Sequence, residues 1–327
     1  MRNSQGRHKI AICIAAAVLC TPMMGVSKTP VILSTDVGNE IDDQWAITYL
    51  LLSPEFEVQG IISAHAPSLP APSAHSTYKV LVDVVEHRLG MMTHAPLLEG
   101  SSLPLESNKT GQPSAGLQFL LETSKHYSSE NRLMVLVIGA ATDVASAILA
   151  DPQIVDRIAL VVMSFRNVSK DGGKEYNVQN DPRAWQVILQ SGVPVTIGSG
   201  DICAANLSLS FGQAAALLGS HGAIGAWLWD EYQTWYFREV KPLRVNDFSK
   251  PKVIWDIITV AYLEGMTTQK TMSRPVLSND LSLQEGSAAA KATWITGVDS
   301  KRLWNDFVEK LDAYQRTHAM GHHMWSN

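Results

Sequence analysis

The chain has 327 residues, of which 46% are hydrophobic and 17% are charged, and its formal net charge is −5. This composition is typical of a globular protein with a large apolar core. The net charge is mildly negative and Lys and Arg form no cluster. Both facts argue against a nucleic-acid-binding surface, because such a surface needs a basic stripe.

The first 27 residues have the pattern of a signal peptide. A basic start is followed by an apolar run at positions 10–19, and small residues lead up to Ser27. The apolar run is shorter than the roughly 20 residues that a membrane span needs. We therefore expect cleavage after Ser27, a mature protein of residues 28–327 that is periplasmic or secreted, and no stable membrane insertion. A lipoprotein acylated at Cys20 is the alternative, although a bulky leucine precedes that cysteine.

From residue 31 onward, apolar β-type runs alternate with helical patterns. The predicted strands are nearly continuous runs of Val, Ile, Leu and Met, as in strands that are buried on both faces. Repeated strand–helix units favour a mainly parallel sheet with right-handed crossovers. Strands are predicted over residues 31–34, 57–63, 134–139, 158–163 and 193–197, and helices over residues 42–52, 77–87, 142–149 and 182–191.

The later part of the chain is less regular. Residues 212–262 look helical and contain a concentration of Trp and Tyr. Segments 276–286 and 292–296 predict a late β-hairpin, and residues 300–315 predict a C-terminal helix. No repeat or linker divides the chain. The expected fold is therefore a single large α/β domain with an open, mainly parallel, Rossmann-like central sheet flanked by helices, followed by the hairpin and the C-terminal helix.

Three carboxylates follow the first predicted strand, and ligands of open parallel sheets sit at the carboxyl ends of the strands. Asp36 comes directly after that strand, and Asp42 and Asp43 open the next helix. Such carboxylates repel one another unless a proton or a cation offsets them, and Ca²⁺ and Mg²⁺ choose oxygen ligands. Helix capping explains one or two acidic residues at a helix start. Three acidic residues beside Gly38 are more than capping needs, and they favour a cation site. Two irregular segments also follow strands and are expected on the same rim: residues 67–76 and 164–180.

Four motifs, taken together and in this order, resemble the inosine-uridine nucleoside hydrolase family. The resemblance implies hydrolysis of the N-glycosidic bond of ribonucleosides or a related N-riboside with the help of a bound Ca²⁺. The small-molecule partner would be the nucleoside, and relatives commonly form dimers or tetramers, so a homo-oligomer is a further expectation. The motifs are Thr35-Asp36-Val-Gly38-Asn-Glu-Ile-Asp42-Asp43, Ile138-Gly-Ala-Ala-Thr142-Asp143, Glu175-Tyr-Asn177-Val-Gln-Asn180-Asp181-Pro182 and Val253-Ile-Trp255-Asp256.

The same resemblance implies a role for each matched residue. Asp36 would be both a metal ligand and the general base that activates water. The other metal ligands would be Asp43, Asp256 and the backbone carbonyl of Thr142. Hydroxyl groups of the ribose would be held by Asp42, Met163, Asn167, Glu175 and Asn177, and Trp255 is a candidate for stacking on the base.

The chain departs from the family pattern at three places. Three residues rather than one separate Gly38 from Asp42, and Ser34 stands where an acidic residue is common. Trp255 replaces a histidine that helps the base to leave in several relatives, so the leaving-group acid is not identified. His65 and His75 are candidates for that acid. The helical segment offers further side chains that could stack on the base or supply a proton: Trp229, Tyr232, Trp235 and Arg238.

Two other functions compete with the hydrolase interpretation. A non-catalytic protein of altered specificity that binds a ribosyl ligand on the same scaffold is favoured by Trp255 and Ser34. A metal-dependent phosphohydrolase of the haloacid dehalogenase type also has an Asp-rich strand end. That type requires an Asp-x-Asp pair, whereas this chain has Ser34-x-Asp36 and lacks a glycine loop that could cradle phosphate.

Overall fold

The structure is a computed structural model that describes residues 28–239 and 250–323. The predicted signal peptide lies outside the described residues, so cleavage after Ser27 stays a prediction. Among the residues that the structure describes, no helix is both long enough and apolar enough to cross a membrane.

A single sheet of eight strands forms the centre of the molecule. Its strand order is β3-β2-β1-β4-β5-β6-β12-β9, and every neighbouring pair is parallel except β12 with β9. The predicted open, mainly parallel α/β sheet is therefore confirmed. The strands are β1 (Thr29–Thr35), β2 (Phe56–Ser63), β3 (Leu97–Glu99), β4 (Leu133–Ile138), β5 (Ile158–Met163), β6 (Val195–Gly198), β7 (Ser208–Leu209), β8 (Lys252–Val253), β9 (Thr267–Ser273), β10 (Val276–Leu277), β11 (Leu283–Gln284) and β12 (Lys291–Val298).

Helices cover both faces of this sheet. A π-helical turn over Asp83–Arg88 continues the second helix, and short 3₁₀ turns occur at Pro152–Asp156 and Lys170–Gly173. The α-helices are α1 (Asp42–Leu52), α2 (Ser73–Val82), α3 (Ala115–Ser124), α4 (Thr142–Ala150), α5 (Tyr176–Asn180), α6 (Pro182–Gln190), α7 (Gly200–Asn206), α8 (Phe211–Leu218), α9 (Gly222–Glu239), α10 (Ile257–Leu263) and α11 (Ser300–His323).

Side-chain alternation in the central strands builds two apolar layers. Val31 and Leu33 of β1 face one layer, together with α1, α8, α9, α10 and α11. Ile32, between them, faces the other layer, which contains α3, α4 and α6. Successive side chains of a strand point to opposite faces, so a strand buried on both sides must be apolar throughout. This is the physical reason why the strands could be recognised as continuous apolar runs.

The predicted pairing of the two strands in the late hairpin is wrong. Residues 292–296 do lie in β12, but the strand antiparallel to it is β9, and residues 276–277 pair instead with 283–284 as β10 and β11. Strand β9 is polar and largely exposed, with the sequence TTQKTMS. It is an edge strand, and edge strands are often polar because this discourages pairing with other chains. Its apolar pattern was therefore too weak to predict it.

Several other boundaries differ from the sequence-based expectation. The segment 67–76, predicted as a loop, already enters α2 at Ser73, and the irregular segment 164–180 contains the short helix α5. The helical segment 212–262 is divided among α8, α9, β8 and α10. Besides the elements already named, β3, β7, α3 and α7 were not predicted. Each has ten residues or fewer, too few for a strong periodic signal.

Two glycines shape the rim of the sheet at which the site lies. Gly38, between β1 and α1, has φ of +100°, a conformation that residues with a Cβ rarely adopt. Gly139 follows β4, and a Cβ there would lie 2.9 Å from the backbone nitrogen of Asp36. A side chain at position 139 would therefore displace Asp36.

Candidate active site

A cavity of about 700 Å³ opens at the carboxyl ends of β1, β4, β5 and β6. Almost every residue that the sequence predicted for the site lines this cavity, although these residues come from distant parts of the chain. Predicted residues on its wall are Asp36, Asp42, Asp43, Met163, Asn167, Glu175, Asn177, Trp255 and Asp256. Thr142 is not among the described residues that line it.

Three buried carboxylates form a tight group at one end of the cavity. Carboxylate oxygens of Asp42, Asp43 and Asp256 all lie within 4.8 Å of one another, so these residues could hold a metal ion. The resemblance had assigned Asp36, Asp43 and Asp256 to the metal and Asp42 to the sugar. Asp36 lines the same cavity, and its Oδ2 has no hydrogen-bond partner among the described residues although it is buried.

The electrostatics of these carboxyl groups indicate that either protons or a cation must offset their negative charge. Burial, followed by the charges of Asp43, Asp42 and Glu175, raises the pKa of Asp36 well above its ordinary value. Burial and the neighbouring aspartates likewise raise the pKa of Asp256 well above its ordinary value. Such groups bind protons unless a cation replaces them. An all-oxygen donor set of this kind, with an unpaired buried oxygen on Asp36, fits a hard divalent cation.

Asp43 is held in place by the strand that precedes it. The hydroxyl of Thr35, the last residue of β1, donates a 2.5 Å hydrogen bond to Asp43 Oδ1. Burial and the charge of Asp42 still raise the pKa of Asp43 well above its ordinary value. One oxygen of Asp43 therefore has a fixed donor, and its position is set by the end of β1 and the start of α1.

Lys252 is a buried lysine that the sequence analysis missed. Only 2% of its surface is exposed, and its Nζ lies 2.5 Å from Glu40 Oε2 and 3.2 Å from Asp42 Oδ1. Burial lowers the pKa of Lys252, but the charges of Asp42 and Glu40 outweigh this effect, so the pKa is raised. Glu40 belongs to the three residues between Gly38 and Asp42. The longer loop thus supplies a carboxylate that pairs with this lysine.

The side chain of Thr142 takes part in a buried hydrogen-bonded chain. Its hydroxyl donates a 2.6 Å hydrogen bond to Asp181 Oδ2 and lies 3.0 Å from His65 Nε2. Asp181 also accepts hydrogen bonds from the backbone N–H groups of Leu105 and Ala184. Burial lowers the pKa of His65. These contacts fix the start of α4, and the role of the Thr142 carbonyl as a metal ligand stays a prediction.

The residues predicted to hold the sugar lie on the segment after β5. Glu175 is the N-cap of α5, and its two carboxylate oxygens accept hydrogen bonds from the backbone N–H groups of Asn177 and Val178, at 3.0 and 3.1 Å. Asn177 Nδ2 donates to the carbonyl of Met163 at 3.1 Å. Burial raises the pKa of Glu175 to about 7. The short helix therefore presents Glu175 and Asn177 to the cavity in a fixed geometry.

The side chain of Asn167 is held in a local turn. Its Oδ1 accepts hydrogen bonds from the backbone N–H of Ser169 at 2.9 Å and from the Ser169 hydroxyl at 2.6 Å. Asn167 still lines the cavity, but its amide oxygen is engaged in the turn. Further lining residues that were not predicted are Asn39, Glu40, Ile138, Arg166, Lys174, Tyr176, Gln179, Gly200 and Asp201.

Trp255 is the aromatic candidate that reaches the cavity. Trp229, Tyr232 and Trp235 of α9 are not among the described residues of its wall. They form a packed aromatic group instead, in which Trp229 and Tyr232 stack with centroids 5.8 Å apart, and Tyr232 meets Trp235 edge to face. His75 is paired with Glu99 at 2.9 Å. Among the aromatic residues predicted to contact the base, Trp255 is therefore the one that lines the cavity.

Sequence comparison decides the family. The sequence profile of the inosine-uridine preferring nucleoside hydrolases matches residues 31–305. The chain belongs to this family. It is therefore a member of a family of N-glycosyl hydrolases, and the haloacid dehalogenase alternative is rejected.

Individual relatives are distant in sequence but close in fold. The pyrimidine-specific ribonucleoside hydrolase RihA of Escherichia coli O1:K1 is 26% identical over 195 residues, which span 53% of this chain and 60% of that relative. The plant nucleoside hydrolase PpNRh1 superposes with a TM-score of 0.70 at 17% identity, covering 88% of this chain and all of that structure. The purine-preferring ribonucleoside hydrolase from Gardnerella vaginalis superposes with a TM-score of 0.68 at 20% identity. This match covers 88% of this chain and 99% of that structure. These two similarities confirm the fold.

Proposed function

We propose that this family member is a Ca²⁺-dependent hydrolase that cleaves the N-glycosidic bond of ribonucleosides or a related N-riboside. The observation that carries the proposal is that Asp36, which has a buried carboxylate oxygen without a hydrogen-bond partner in the described residues, lines the same cavity as the carboxylate group of Asp42, Asp43 and Asp256. Family membership supplies the reaction class. The match to RihA spans about 60% of that enzyme's length, so activity and substrate are proposed here for the whole chain.

The residues that would hold the ion are Asp36, Asp43 and Asp256, with the carbonyl of Thr142. All of these donors are oxygens, and Ca²⁺ accepts six to eight oxygens in flexible geometry, whereas Mg²⁺ demands a stricter octahedron. Water and the sugar hydroxyls can complete such a shell. When bound, the ion would lower the pKa of a coordinated water and stabilise the hydroxide that attacks the sugar.

Asp36 is the proposed general base. It lies at the end of β1, so a rigid strand holds it, and its Oδ2 has no competing donor within the described residues. A carboxylate that faces the attacking water can take its proton. Burial and the neighbouring aspartates raise the pKa of Asp36, which increases its affinity for that proton.

The remaining carboxylates and amides would position the ribose and stabilise its charge. Cleavage of the C1′–N bond passes through a transition state in which the sugar carries positive charge. Asp42, Glu175 and Asn177 line the cavity and have fixed hydrogen bonds to the surrounding backbone or to Lys252. Prepositioned carboxylates of this kind stabilise a developing cation without having to reorganise.

The test is release of ribose from a panel of nucleosides by the purified protein, with Ca²⁺ and then with a chelator. We expect turnover with Ca²⁺ that is lost on chelation and restored by Ca²⁺. Asp36→Asn should lower kcat by at least about 100-fold, the range of general-base contributions, while circular dichroism remains unchanged. Asp230→Asn, on the exposed surface of α9, is the matched control and should retain activity. Tight nucleoside binding without product would favour the non-catalytic alternative.

We also propose that the chain is exported, as its first 27 residues predict. The proposal is tested by fractionating cells that express the full chain and sequencing the N-terminus of the mature protein. A mature protein that begins at Lys28 supports cleavage after Ser27. One that begins at an acylated Cys20 supports the lipoprotein alternative.

A further inference from the structure

Lys252 is held in place by both its backbone and its side chain. It pairs with Leu209 in the antiparallel ladder of β7 and β8, and its backbone N–H donates to the hydroxyl of Tyr232 at 3.4 Å. The same hydroxyl donates to the carbonyl of Leu209 at 2.7 Å. The ammonium lies 5.7 Å from the centroid of the Trp235 ring, which is close enough for a cation–π interaction. The aromatic group of α9 therefore forms part of the surroundings that fix this lysine.

The ammonium of Lys252 reaches the cavity through two carboxylates. Glu40 and Asp42 both line the cavity, whereas Lys252 is not among the described residues of its wall. Its Nζ lies 2.5 Å from Glu40 Oε2 and 3.2 Å from Asp42 Oδ1. The side chains of Lys252 and Asp42 are only 2% and 5% exposed. Charge-assisted hydrogen bonds of this kind are strong, so Lys252 restricts the orientation of the Asp42 carboxylate from outside the cavity.

The orientation of Asp42 matters because the proposed function assigns this residue to a hydroxyl of the ribose. A hydrogen bond weakens steeply when its angle departs from a good value. Asp42 is the first residue of α1, so its backbone is already fixed. The remaining freedom lies in the torsions of the side chain, and the bond to Lys252 limits them. A side chain that is locked in this way loses little entropy when a ligand binds.

Glu40 is the more exposed partner of the lysine. It is one of the three residues that separate Gly38 from Asp42, and 42% of its side chain is exposed. The ammonium therefore connects an exposed carboxylate of the loop to the buried carboxylate that begins α1. Removal of the charge of Glu40 would leave the bond between Lys252 and Asp42 in place, whereas removal of the ammonium would break both contacts.

We propose that Lys252 is a positioning residue, which orients the carboxylate of Asp42 for contact with a ribose hydroxyl. The inference rests on the proposed function for the assignment of Asp42 to the sugar. It is carried by the buried contact between Lys252 and Asp42, by the fixed placement of Lys252 against β7 and α9, and by the position of Asp42 on the cavity wall.

The first experiment measures binding without turnover. The ligand is a C-riboside, whose carbon–carbon bond is not hydrolysed, and it is compared by calorimetry in Ca²⁺ with its 2′-deoxy and 3′-deoxy analogues. We expect the unaltered protein to bind the riboside at least about 10-fold more tightly than one of the analogues, the scale of one hydrogen bond to a charged group. Lys252→Met should lose most of this difference. An undiminished difference in the folded variant would overturn the inference.

A double-mutant cycle tests whether Lys252 acts through Asp42. Asp42→Asn should by itself lower the difference at least about 10-fold. Addition of Lys252→Met should then have little further effect, because the lysine no longer has a carboxylate to orient. Losses that multiply would contradict the inference. Lys125→Met removes an exposed lysine, and this control should leave the difference unchanged.

Two further measurements keep the inference testable if Lys252→Met does not fold. Lys252→Gln keeps an N–H donor without the charge, and it should retain part of the difference between riboside and deoxyriboside. The Ca²⁺ affinities of Asp42→Asn and Asp43→Asn need no variant of the lysine. We expect the second substitution to weaken Ca²⁺ binding more than the first. Equal losses would show that Asp42 serves the metal rather than the sugar, and the inference would fail.

Kinetics in Ca²⁺ separates this inference from the proposed function. We expect Lys252→Met to lower kcat/KM for a ribonucleoside at least about 10-fold, and to affect the corresponding deoxyribonucleoside less. Equal losses for both substrates are expected of a merely structural role; they would contradict the inference and leave the proposed function in place. No turnover by the unaltered protein contradicts the proposed function, and the binding comparison then decides the role of Lys252 by itself.

Discussion

Lys252 shows how one residue can determine the charge of a site. Its ammonium is buried between Glu40 and Asp42, and no other cation of the described residues lies within 4 Å of Asp42 in an ion pair. One oxygen of Asp42 is therefore engaged by an internal cation. Asp36, in contrast, has a buried oxygen with no partner in the described part of the chain. The free oxygen of Asp36 is available to a metal ion, whereas Asp42 is both paired with Lys252 and part of the tight carboxylate group with Asp43 and Asp256.

Replacement of Lys252 should expose this role. We expect Lys252→Met to lower the free energy of unfolding by about 3 kcal/mol without metal, because removing one partner leaves a buried charge uncompensated. Ca²⁺ should then stabilise the variant more than it stabilises the unaltered protein, since a repelling positive charge has been removed. Chemical denaturation with and without Ca²⁺ measures both effects.

The control is Lys125→Met, which removes a lysine from an exposed pair with Glu122. Surface pairs contribute at most about 1 kcal/mol, and this one is remote in sequence from the acidic cluster. If Lys125→Met destabilised the protein as much as Lys252→Met, the special role of the buried ion pair would be refuted.

The residues of the site were predictable to different degrees. Asp36, Asp42 and Asp43 stand together in the sequence after an apolar strand, so local pattern alone pointed to them. Asp256 is an ordinary acidic residue at a helix start, and it was found through the resemblance. Lys252 had no signal, because a single lysine beside an apolar segment is normally a surface residue. Its importance depends on a contact with Asp42, 210 positions earlier in the chain.

At the level of elements, the site depends on how closely β1 and β4 end beside each other. The two strands are parallel neighbours, with Thr35 of β1 opposite Ile138 of β4. The next residues are Asp36 and Gly139. A Cβ at position 139 would lie 2.9 to 3.1 Å from three atoms of Asp36, which is closer than ordinary packing allows. The glycine therefore sets the position of the proposed base.

We expect Gly139→Ala to reduce kcat strongly while the protein stays folded. The added methyl group must displace Asp36, and a misplacement of about 1 Å can cost about 100-fold in rate. Overpacking of this kind should cost about 1–3 kcal/mol of stability. Steady-state kinetics and thermal unfolding are the two measurements.

Gly192→Ala provides the comparison for this substitution. A Cβ at Gly192 would meet its nearest neighbour, Val155 Cγ2, at 3.8 Å, an ordinary contact. Its kcat should therefore equal that of the unaltered protein. Equal activity of the two alanine variants would show that the approach of Gly139 to Asp36 has no catalytic importance.

The elements that the sequence predicted share a physical property that the missed ones lack. Strands β1, β4 and β5 are buried on both faces, and burial requires apolar residues throughout. Strand β9 lies at an edge and is mostly polar, so it resembles a loop in sequence. Because β9 was not recognised as a strand, β12 was predicted correctly but was paired with the wrong segment. Pairing depends on long-range contacts, whereas apolar pattern is local.

For the whole molecule, buried carboxyl groups couple stability to pH. Burial raises the pKa of Glu175 to about 7 and the pKa of Asp143 to about 6. The folded protein therefore holds protons that the unfolded chain has already released. Stability that these groups contribute in their protonated form is present at low pH and is lost as pH rises through the window between the unfolded and folded pKa values.

We expect the metal-free protein to become less stable between about pH 4.5 and pH 7. The loss from Glu175 alone should be on the order of 3 kcal/mol, since each pKa unit corresponds to about 1.4 kcal/mol. Ca²⁺ should stabilise the protein more at pH 7.5 than at pH 5, because its ligands must be ionised. Urea unfolding at both pH values, with chelator and with Ca²⁺, measures these differences.

Two glutamine variants separate Glu175 from the other acids. Glu175→Gln should flatten the fall in stability with pH, whereas Glu122→Gln, on the exposed surface of α3, should leave it unchanged. A fall that is identical in both variants would mean that Glu175 is not responsible.

The pairing of Lys252 with Asp42 also has a consequence for biosynthesis. Asp36, Asp42 and Asp43 leave the ribosome early, whereas Lys252 and Asp256 follow only after some 210 further residues. A nascent polypeptide that ends before Lys252 thus has mutually repelling acids and neither the ammonium nor the last carboxylate. The group of carboxylates formed by Asp42, Asp43 and Asp256 can therefore assemble only after residue 256 has been translated.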